Sequence, residues 1–223
     1  MAERALIVGA GFGLSAALCR RFAAEGLAVG LAARDVAKLG ELGDWRWGVD
    51  AADLASVADL FRAADDQFGI ADVVVYNAGA RLRGPTTELD PAAVKHALEV
   101  TAFGGFLVAR EALARMEARG GGTLLFTGAS ASVKGYPGSA PFAMGKFALR
   151  GLAESLAREF QPKNVHVAHV VIDGAIRGPA APVDGSDSRL DPDAVAEVYW
   201  QLVRQPRSAW TFEQAVRPWV ERF

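Results

Sequence analysis

Short apolar runs of strand type alternate with helical patterns along almost all of this 223-residue chain. Strands are predicted at Ala5–Val8, Leu27–Ala32, Trp45–Val49, Asp72–Tyr76, Thr123–Thr127, Val165–Ile172 and near Trp210–Val216. Helices are predicted at Leu14–Glu25, Val36–Leu39, Asp53–Phe68, about Pro91–Arg119, about Pro141–Phe160 and Pro192–Val203. Nearly continuous apolar strands separated by helices indicate a parallel sheet covered on both faces. The pattern therefore predicts an α/β fold with a doubly wound parallel sheet of Rossmann type.

The chain is expected to form a single domain over residues 1–223. No repeat, low-complexity tract or linker divides it, and 51% of its residues are apolar, which is enough for one large core. We expect a short substrate loop over about residues 178–190, containing Asp184, Asp187 and Arg189. The length of this loop argues against a large enclosed lipid site.

Composition excludes several classes of partner. A net charge of −2 gives no reason to expect nucleic acid or an anionic membrane surface. The single cysteine, Cys19, cannot form an internal disulfide, and we expect it to be a packing residue. The N-terminus runs directly into a strand, which leaves no room for a signal peptide. No apolar run approaches the roughly 18 residues of a membrane span. The chain is therefore expected to be cytoplasmic.

A glycine-rich turn, Gly9-Ala-Gly11-Phe-Gly13-Leu-Ser15, follows the first strand. In a doubly wound sheet the phosphates of a ligand lie above this turn. Glycines there let backbone N–H groups approach a pyrophosphate, and the helix N-terminus adds partial positive charge. Ser15 could add a hydroxyl donor. The turn predicts a dinucleotide site, although a tight turn without a ligand would use the same residues.

The end of the second strand bears on which dinucleotide is bound. A free ribose 2′-hydroxyl usually meets an acidic side chain at this position, whereas a 2′-phosphate favours arginine. The sequence here is Ala33-Arg34-Asp35, and the Arg34 guanidinium could make a bidentate bond to phosphate. Asp35 could cap the next short helix or bond the ribose instead. NADP(H) is favoured over NAD(H).

Further motifs follow later strands or lie before and within the second long helix. Asp50 follows the third strand, and Asn77-Ala78-Gly79 follows the fourth. Gly135-Tyr-Pro-Gly138 precedes a long helix that contains Leu149-Arg-Gly-Leu152. In this order, and with the glycine turn, they resemble the short-chain dehydrogenase/reductase family over essentially the full length. Serine at position 15 stands where the family's third glycine usually lies.

The resemblance implies a set of cofactor residues. Asp50 matches the acid that bonds the adenine amino group, and Asn77-Ala78-Gly79 matches a signature that stabilises the sheet and lines the cofactor. The candidate cofactor-binding residues are Gly9, Gly11, Phe12, Gly13, Leu14, Arg34, Asp50, Asn77, Ala78, Gly79, Lys146, Gly174 and Ile176.

The catalytic positions implied by the resemblance depart from the family pattern. The family uses a serine, a tyrosine and a lysine, with an asparagine in the preceding helix, and the tyrosine exchanges the proton. Here the Tyr-x-x-x-Lys segment reads Phe142-Ala-Met-Gly-Lys146. The serine position, thirteen residues earlier, is Ala129, and the asparagine position is Thr101. Phenylalanine cannot transfer a proton and alanine cannot bond a carbonyl oxygen, so either another residue supplies the proton or catalysis has been lost.

Substitute polar groups occur nearby in the sequence. Tyr136 precedes the helix and could serve if its loop folds inward, although an aromatic residue in this loop also occurs in ordinary relatives. Ser130 could bond a substrate oxygen and Ser132 is close, but neither is in register without a local shift. Lys146 is expected mainly to hold the ribose. Other acid–base candidates are His96, on a long helix, and His166 and His169, which we expect to face the same side of the sixth strand.

Two functions therefore stay open. The first is an NADP(H)-dependent oxidoreductase acting on an unknown carbonyl or alcohol through a non-standard site. The alternative is a non-catalytic dinucleotide-binding protein, a sensor or a partner subunit; a purely structural member of a mixed oligomer is weaker. No metal-ligand cluster is predicted. A homo-dimer or tetramer is expected through the two long helices. Its contact face is predicted to include Phe103, Phe106, Leu107, Phe147, Leu149 and Leu152.

Overall fold

Seven parallel strands form one sheet in the computed structural model, which describes residues 2–178, 180–181 and 185–221. Asp184, assigned above to the substrate loop, lies outside the described residues. The strand order is β3-β2-β1-β4-β5-β6-β7, as predicted for a doubly wound sheet. The strands are β1 (Arg4–Val8), β2 (Ala28–Ala33), β3 (Trp45–Gly48), β4 (Val73–Tyr76), β5 (Gly122–Thr127), β6 (Val165–Ile172) and β7 (Glu213–Val216).

Helices connect these strands and cover both faces of the sheet. They are α1 (Leu14–Ala24), α2 (Leu54–Gln67), α3 (Pro91–Leu98), α4 (Gly104–Arg119), α5 (Ala140–Phe160) and α6 (Pro192–Val203). Several begin with an aspartate whose carboxylate accepts free backbone N–H groups of the first turn. Asp53 caps α2, Asp90 caps α3 and Asp191 caps α6, the last two followed directly by proline.

Two buried clusters lie on opposite faces of the sheet. One packs α2, α4 and α5 against residues such as Leu6, Val74 and Leu124, and the other packs α1 and α6 against residues such as Ile7 and Val75. Cys19 is buried in the second cluster, as predicted. The strand order reverses between β1 and β4, and in such sheets ligands bind at the carboxyl ends of the strands at this point.

The helix predicted over 91–119 is interrupted in the structure. A π-helical turn, Glu99–Phe103, separates α3 from α4. The hydroxyl of Tyr76, which is buried in the sheet, donates a hydrogen bond to the carbonyl of Val100. At Gly104 a Cβ atom would lie 2.5 Å from that same hydroxyl, so only glycine lets the helix approach the sheet this closely. A tertiary contact that engages a helix carbonyl accounts for the break.

The run Pro91–Arg119 is also the one helical segment in the described part of the chain that is long and apolar enough to cross a membrane. This finding differs from the expectation above that no apolar run approaches the length of a membrane span. Length and composition alone are weak evidence, because the core helix of a soluble protein passes the same test. Val108, Leu113 and Met116 of this run are fully buried against the sheet.

The expectation that His166 and His169 face the same side is wrong. Strand side chains alternate, so residues three apart point to opposite faces. His166 stacks on Trp210 with ring centroids 4.9 Å apart, on the α6 side, whereas His169 contacts Glu213 on the α5 side.

The predicted contact face of the two long helices also needs a correction. Leu107 and Leu149 are buried in the core, because steps of one residue from Phe106 and two residues from Phe147 rotate the side chain by about 100° and 200° around the helix, away from the exposed face. Phe103, Phe106 and Phe147 are each about half exposed.

Candidate functional site

A cleft of about 540 Å³ opens at the carboxyl ends of β1, β4, β5 and β6. A smaller pocket of about 210 Å³ lies beside it, at the ends of β2 and β3. The linings of the two cavities share Gly9, Asn77 and Gly79. Together they follow the edge of the sheet across the point where the strand order reverses.

The glycine turn is shaped by its contact with the end of β4. Gly9 has φ +86°, and a Cβ atom there would lie 2.3 Å from the backbone nitrogen of Ala78. Asn77 Nδ2 donates to the carbonyl oxygen of Gly9 at 3.2 Å and to Ser15 Oγ at 2.9 Å. Ser15 Oγ in turn donates to the Gly9 carbonyl at 3.4 Å. The Ser15 hydroxyl is thus engaged inside the turn, contrary to its predicted role as a donor to phosphate.

The outer part of the turn fits a pyrophosphate. Gly11 and Gly13 line the larger cleft, and a Cβ atom at either would meet no protein atom, so it would project into open space. Helix α1 begins directly after Gly13 without a side-chain cap, which leaves N–H groups of its first turn for an anion. A side chain at Gly11 or Gly13 would occupy the space that phosphate oxygens need, and we call this part of the turn the glycine cradle.

Arg34 and its neighbour Asp35, directly after β2, have different surroundings. Arg34 and Asp50 line the pocket, whereas Asp35 is absent from the lining and forms an ion pair with Lys38 at 3.2 Å. Asp35 stands at the start of the turn Val36–Leu39 but makes no capping hydrogen bond. The first of the two uses left open for Asp35, capping of the next short helix, is not seen, because the side chain pairs locally with Lys38.

Lys146 is the most buried charged group of the cleft. The side chain is 5% exposed, and Nζ donates to the carbonyl oxygen of Thr127 at 2.6 Å. Burial lowers the pKa of Lys146 to about 8. An amine with a pKa near neutrality can both hold hydroxyl groups and exchange a proton.

The positions opposite Lys146 have no acid–base group. Phe142 lies one turn before Lys146 on α5, with the ring centroid 6.0 Å from Nζ, and it lines the cleft together with Ala129. Ser130, which also lines the cleft, begins a short 3₁₀ turn and is half-buried. Ser132 is fully buried, and its Oγ accepts a hydrogen bond from the Ala129 nitrogen at 3.1 Å. Ser130 is therefore the serine of this turn with access to the cleft, and Ser132 supports the backbone.

Tyr136 reaches the cleft from the loop before α5, as predicted for an inward-folded loop. Tyr136 is 42% exposed and lines the cleft. Beside it is Lys134, whose ammonium also lies 3.3 Å from Asp173. The pKa of Lys134 is raised, first by a hydrogen bond with Tyr136 and then by Asp173.

Thr101 occupies the π-helical turn and does not line either cavity. Thr101 is buried, and Oγ1 accepts a hydrogen bond from the Ala80 nitrogen at 3.1 Å. Thr101 Cβ would lie 2.9 Å from a Cβ atom at Gly145, so the π turn and α5 pack closely at this residue. The residue positions the backbone after Gly79 and makes no contact with the cleft.

Most of the predicted cofactor residues meet at the two cavities. Phe12 is the exception, because its side chain is 53% exposed and lies outside both linings. The lining of the larger cleft also contains residues that were not predicted from the sequence, among them Arg81, Arg83, Ser139 and Arg177. No motif distinguishes these side chains, since loop arginines and serines are common on any surface.

None of the three histidines lines the cleft. His96 is exposed on α3 near Glu99, and His166 packs under Trp210. His169 is fully buried; Nδ1 lies 3.0 Å from Glu213 Oε2, and Arg150 Nε donates to that oxygen at 2.6 Å. Burial lowers the pKa of His169, which keeps the imidazole neutral at neutral pH. This group connects β6, β7 and α5 behind the cleft.

A parallel sheet in this order, with a glycine turn at its switch point, defines a dinucleotide-fold protein of Rossmann type. The chain belongs to the short chain dehydrogenase family, whose sequence model matches residues 3–180. The sequence is 31% identical over 185 residues to the cyclic-di-GMP-binding biofilm dispersal mediator protein of Escherichia coli. That match covers 81% of this chain and 76% of the relative.

Solved structures agree with this assignment. A short-chain dehydrogenase from Rhodopseudomonas palustris is 36% identical, with a TM-score of 0.85 over 97% of this chain and 99% of that one. An alcohol dehydrogenase from Thermococcus sibiricus, solved in complex with 5-hydroxy-NADP, is 25% identical, with a TM-score of 0.89 over 100% of this chain and 99% of that one. Membership of the family and the Rossmann fold confirm the two central predictions from the sequence.

Proposed function

We propose that this protein is an NADP(H)-dependent oxidoreductase that acts on a carbonyl or alcohol through a non-standard proton donor. One observation carries the proposal: the buried Lys146 amine lies in the same cleft as the glycine cradle, although Phe142 has replaced its usual partner. The cleft has kept the shape and charge that a dinucleotide needs. The relative complexed with 5-hydroxy-NADP supports the choice of cofactor.

The cofactor residues fall into three groups along the cavities. The glycine turn and the start of α1 would hold the pyrophosphate, and Arg34 with Asp50 would hold the adenosine end. Lys146 would hold the nicotinamide ribose, with Gly174 and Ile176 lining the space beyond it. When bound, NADPH supplies a hydride to a carbonyl carbon.

The chain itself must then supply a hydrogen bond and a proton to the carbonyl oxygen. We assign the hydrogen bond to Ser130, the serine of the 3₁₀ turn that lines the cleft. Lys146 holds a proton with a pKa of about 8, and Tyr136 presents a phenol to the same space. Either group can deliver the proton, directly or through one water molecule, so loss of the usual tyrosine does not by itself end catalysis.

The alternative, a protein that binds the dinucleotide without catalysis, is also supported by an observation. Ala129 and Phe142 leave no acid–base group at the two positions where the family pattern places them. A relative named for binding cyclic-di-GMP illustrates that a protein in this family can be named for a binding function. In this second candidate function the protein binds the dinucleotide as a sensor or partner subunit.

A cofactor titration followed by turnover assays separates the two functions. NADPH binding is measured by fluorescence, and NADPH oxidation is then followed against small ketones and aldehydes. Binding with turnover that falls in Ser130→Ala supports the oxidoreductase. Binding without turnover across the panel supports the sensor or partner subunit, and absence of binding contradicts both.

We also propose that the exposed phenylalanines of the π-helical turn, α4 and α5 form a contact between two copies of the chain. Phe103 stacks on Phe106 with ring centroids 6.2 Å apart, and Phe147 is exposed on the adjacent helix α5. Large apolar groups on neighbouring helices favour a closed two-fold pair. Light scattering at micromolar concentration should give the mass of a dimer or tetramer, and a monomer mass would contradict this proposal.

A further inference from the structure

The larger cleft has an uneven charge. Its described lining contains four cationic residues, Arg81, Arg83, Lys146 and Arg177, and no aspartate or glutamate. The chain as a whole carries a net charge of −2, so this excess does not reflect composition. A cleft lined by one sign of charge concentrates ligands of the opposite sign.

Two of the four cations already have partners inside the protein. Lys146 donates to the Thr127 carbonyl, and Arg177 forms an ion pair with Asp191 at 3.0 Å. Lys134, at the edge of the same region, pairs with Asp173. By contrast, neither Arg81 nor Arg83 has a carboxylate partner among residues 2–178, 180–181 and 185–221.

The two arginines stand at the substrate end of the cleft. Arg81 Cζ lies 5.7 Å from the ring centroid of Phe142, on the helix that carries Lys146. The segment that follows is held against the loop of Tyr136, because the Gly84 nitrogen donates to the Gly138 carbonyl at 3.0 Å.

The phosphates of a dinucleotide do not account for this pair. Arg34 is placed for a 2′-phosphate and lines the other cavity, while the pyrophosphate cradle is the glycine turn at the end of β1. Two guanidinium groups that line one cleft without a carboxylate partner make that part of the cleft favourable for an anion. Arginine is also the side chain best suited to carboxylate and phosphate.

We propose that the substrate carries an anionic group, a carboxylate or a phosphate, which Arg81 and Arg83 bind close to the reacting carbonyl or hydroxyl group. This inference rests on the proposed function and names its substrate class. The guanidinium groups hold the anion beside Phe142, and the reacting oxygen then faces Ser130 and Lys146.

Matched pairs of probes test the charge directly. Acetoacetate is compared with methyl acetoacetate, and dihydroxyacetone phosphate with dihydroxyacetone. Binding to the NADPH-saturated protein is measured by calorimetry, and turnover by NADPH oxidation. We expect the anionic member of at least one pair to bind about 10-fold more tightly or better than its neutral partner. The pair that shows this preference tells whether the anion is a carboxylate or a phosphate.

The double variant Arg81→Gln/Arg83→Gln should reduce the preference to within about 2-fold, because both charges are then absent. Its NADPH affinity should equal that of the parent. Arg207→Gln, which removes an exposed arginine far from the cleft, is the control and should keep the preference. The inference is overturned if neutral and anionic partners bind equally in both pairs, if the double variant keeps the preference, or if it loses NADPH affinity.

The experiments also distinguish failure of this inference from failure of the proposed function. If the parent protein does not bind NADPH, the proposed function is wrong. The same calorimetric comparison without NADPH still shows whether Arg81 and Arg83 bind the anions. If NADPH binds and no anion preference is found, the oxidoreductase proposal stands and the substrate class does not.

Discussion

The two ends of the cleft depend on different parts of the chain. At the β1 end, the geometry comes from the backbone: Gly9 has a positive φ, its carbonyl accepts hydrogen bonds, and no side chain other than hydrogen fits against Ala78. At the α5 end, the reacting groups are side chains that project from a regular helix and a short turn. There Phe142 lies one turn before Lys146 within the regular helix α5.

This difference explains how the two ends can diverge independently. A substitution at Gly9 would alter the shape of the fold, whereas tyrosine in place of Phe142 would add a single hydroxyl group and preserve the packing. The fold and cofactor cradle can therefore persist while the chemistry at the other end changes. Binding and reaction impose separate requirements on the sequence. The predictions below test whether the two ends are in fact independent.

The largest effect is expected from restoring the missing groups at the α5 end. The double variant Phe142→Tyr/Ala129→Ser should raise NADPH oxidation with ketones or aldehydes by about 10²-fold or more, as expected for general acid catalysis. Each single variant should gain much less, because the proton donor and the oxygen contact act together. Steady-state kinetics of the parent and the three variants check this.

Phe160→Tyr, which adds a phenol at the other end of the same helix and outside the cleft lining, is the control and should leave the rate unchanged. NADPH affinity should stay the same in all variants if the two ends are independent. A parent protein that already reduces such substrates at rates typical of enzymes would contradict the expectation that Phe142 and Ala129 limit turnover. Tyr136→Phe would then test whether Tyr136 is the acid.

The next effect concerns the backbone at the β1 end. Gly9→Ala should destabilise the fold by about 3 kcal/mol or more, because the added methyl meets the Ala78 nitrogen and φ is positive. For a chain of this size, that corresponds to roughly 6–12 °C in Tm. NADPH binding should be lost as well. Thermal unfolding and cofactor titration measure the two effects.

Gly135→Ala is the matched control, since a Cβ atom there meets no other atom, and its Tm should stay within about 2 °C. If Gly9→Ala keeps both its Tm and its NADPH affinity, the backbone does not determine this end of the cleft in the way proposed.

The same division separates what could and could not be predicted from the sequence. Strand positions, the glycine turn and Asn77 were predictable, because strand periodicity and turn chemistry are local. The interruption of α3 and α4 was not, since it depends on Tyr76, which reaches Val100 from a distant strand. The orientation of His166 and His169 was predictable in principle, because alternation along a strand places residues three apart on opposite faces.

The candidate site was predicted best where backbone geometry defines it. Lys146, Ser130 and Tyr136 lie in one cleft, as expected from their positions around the start of α5. Arg81 and Arg83 could not be identified from the sequence, because their significance lies in the absence of carboxylate partners in the described fold. The internal use of the Ser15 hydroxyl likewise depends on Asn77, which lies 62 residues away.

A smaller effect should follow from the buried amine between the two ends. The pKa of Lys146 is about 8 in the folded protein, against an ordinary value of 10.5. Below about pH 8, the charge is buried at a cost in stability. As pH rises from about 8 to about 10.5, the folded state releases the proton while the unfolded state keeps it, so stability increases. The free energy of unfolding should rise in this window by at most about 3 kcal/mol relative to Lys146→Met.

Urea unfolding of both proteins between pH 7 and 10 measures this difference. Lys95→Met, which removes an exposed amine on α3, is the control for loss of a positive charge. If the difference between the parent and Lys146→Met does not change with pH, burial does not lower the pKa of the amine. The proton source for the α5 end would then have to be sought at Tyr136.

The smallest effect distinguishes two neighbouring residues at the β2 end. Arg34→Ala should reduce the affinity for NADPH by about 10- to 100-fold and leave that for NADH unchanged, because a guanidinium–phosphate contact is a charge-assisted bond. Asp35→Asn should change neither affinity by more than about 2-fold, since Asp35 pairs with Lys38 outside the pocket. Fluorescence titration of the parent and both variants with the two cofactors gives the six affinities. Equal affinities of the parent for NADPH and NADH would contradict the role of Arg34.

A selective loss of NADH affinity in Asp35→Asn would instead show that the carboxylate bonds the ribose when a cofactor is bound. In that case the β2 end would depend on side-chain rearrangement, and the contrast with the α5 end would be weaker than the structure suggests.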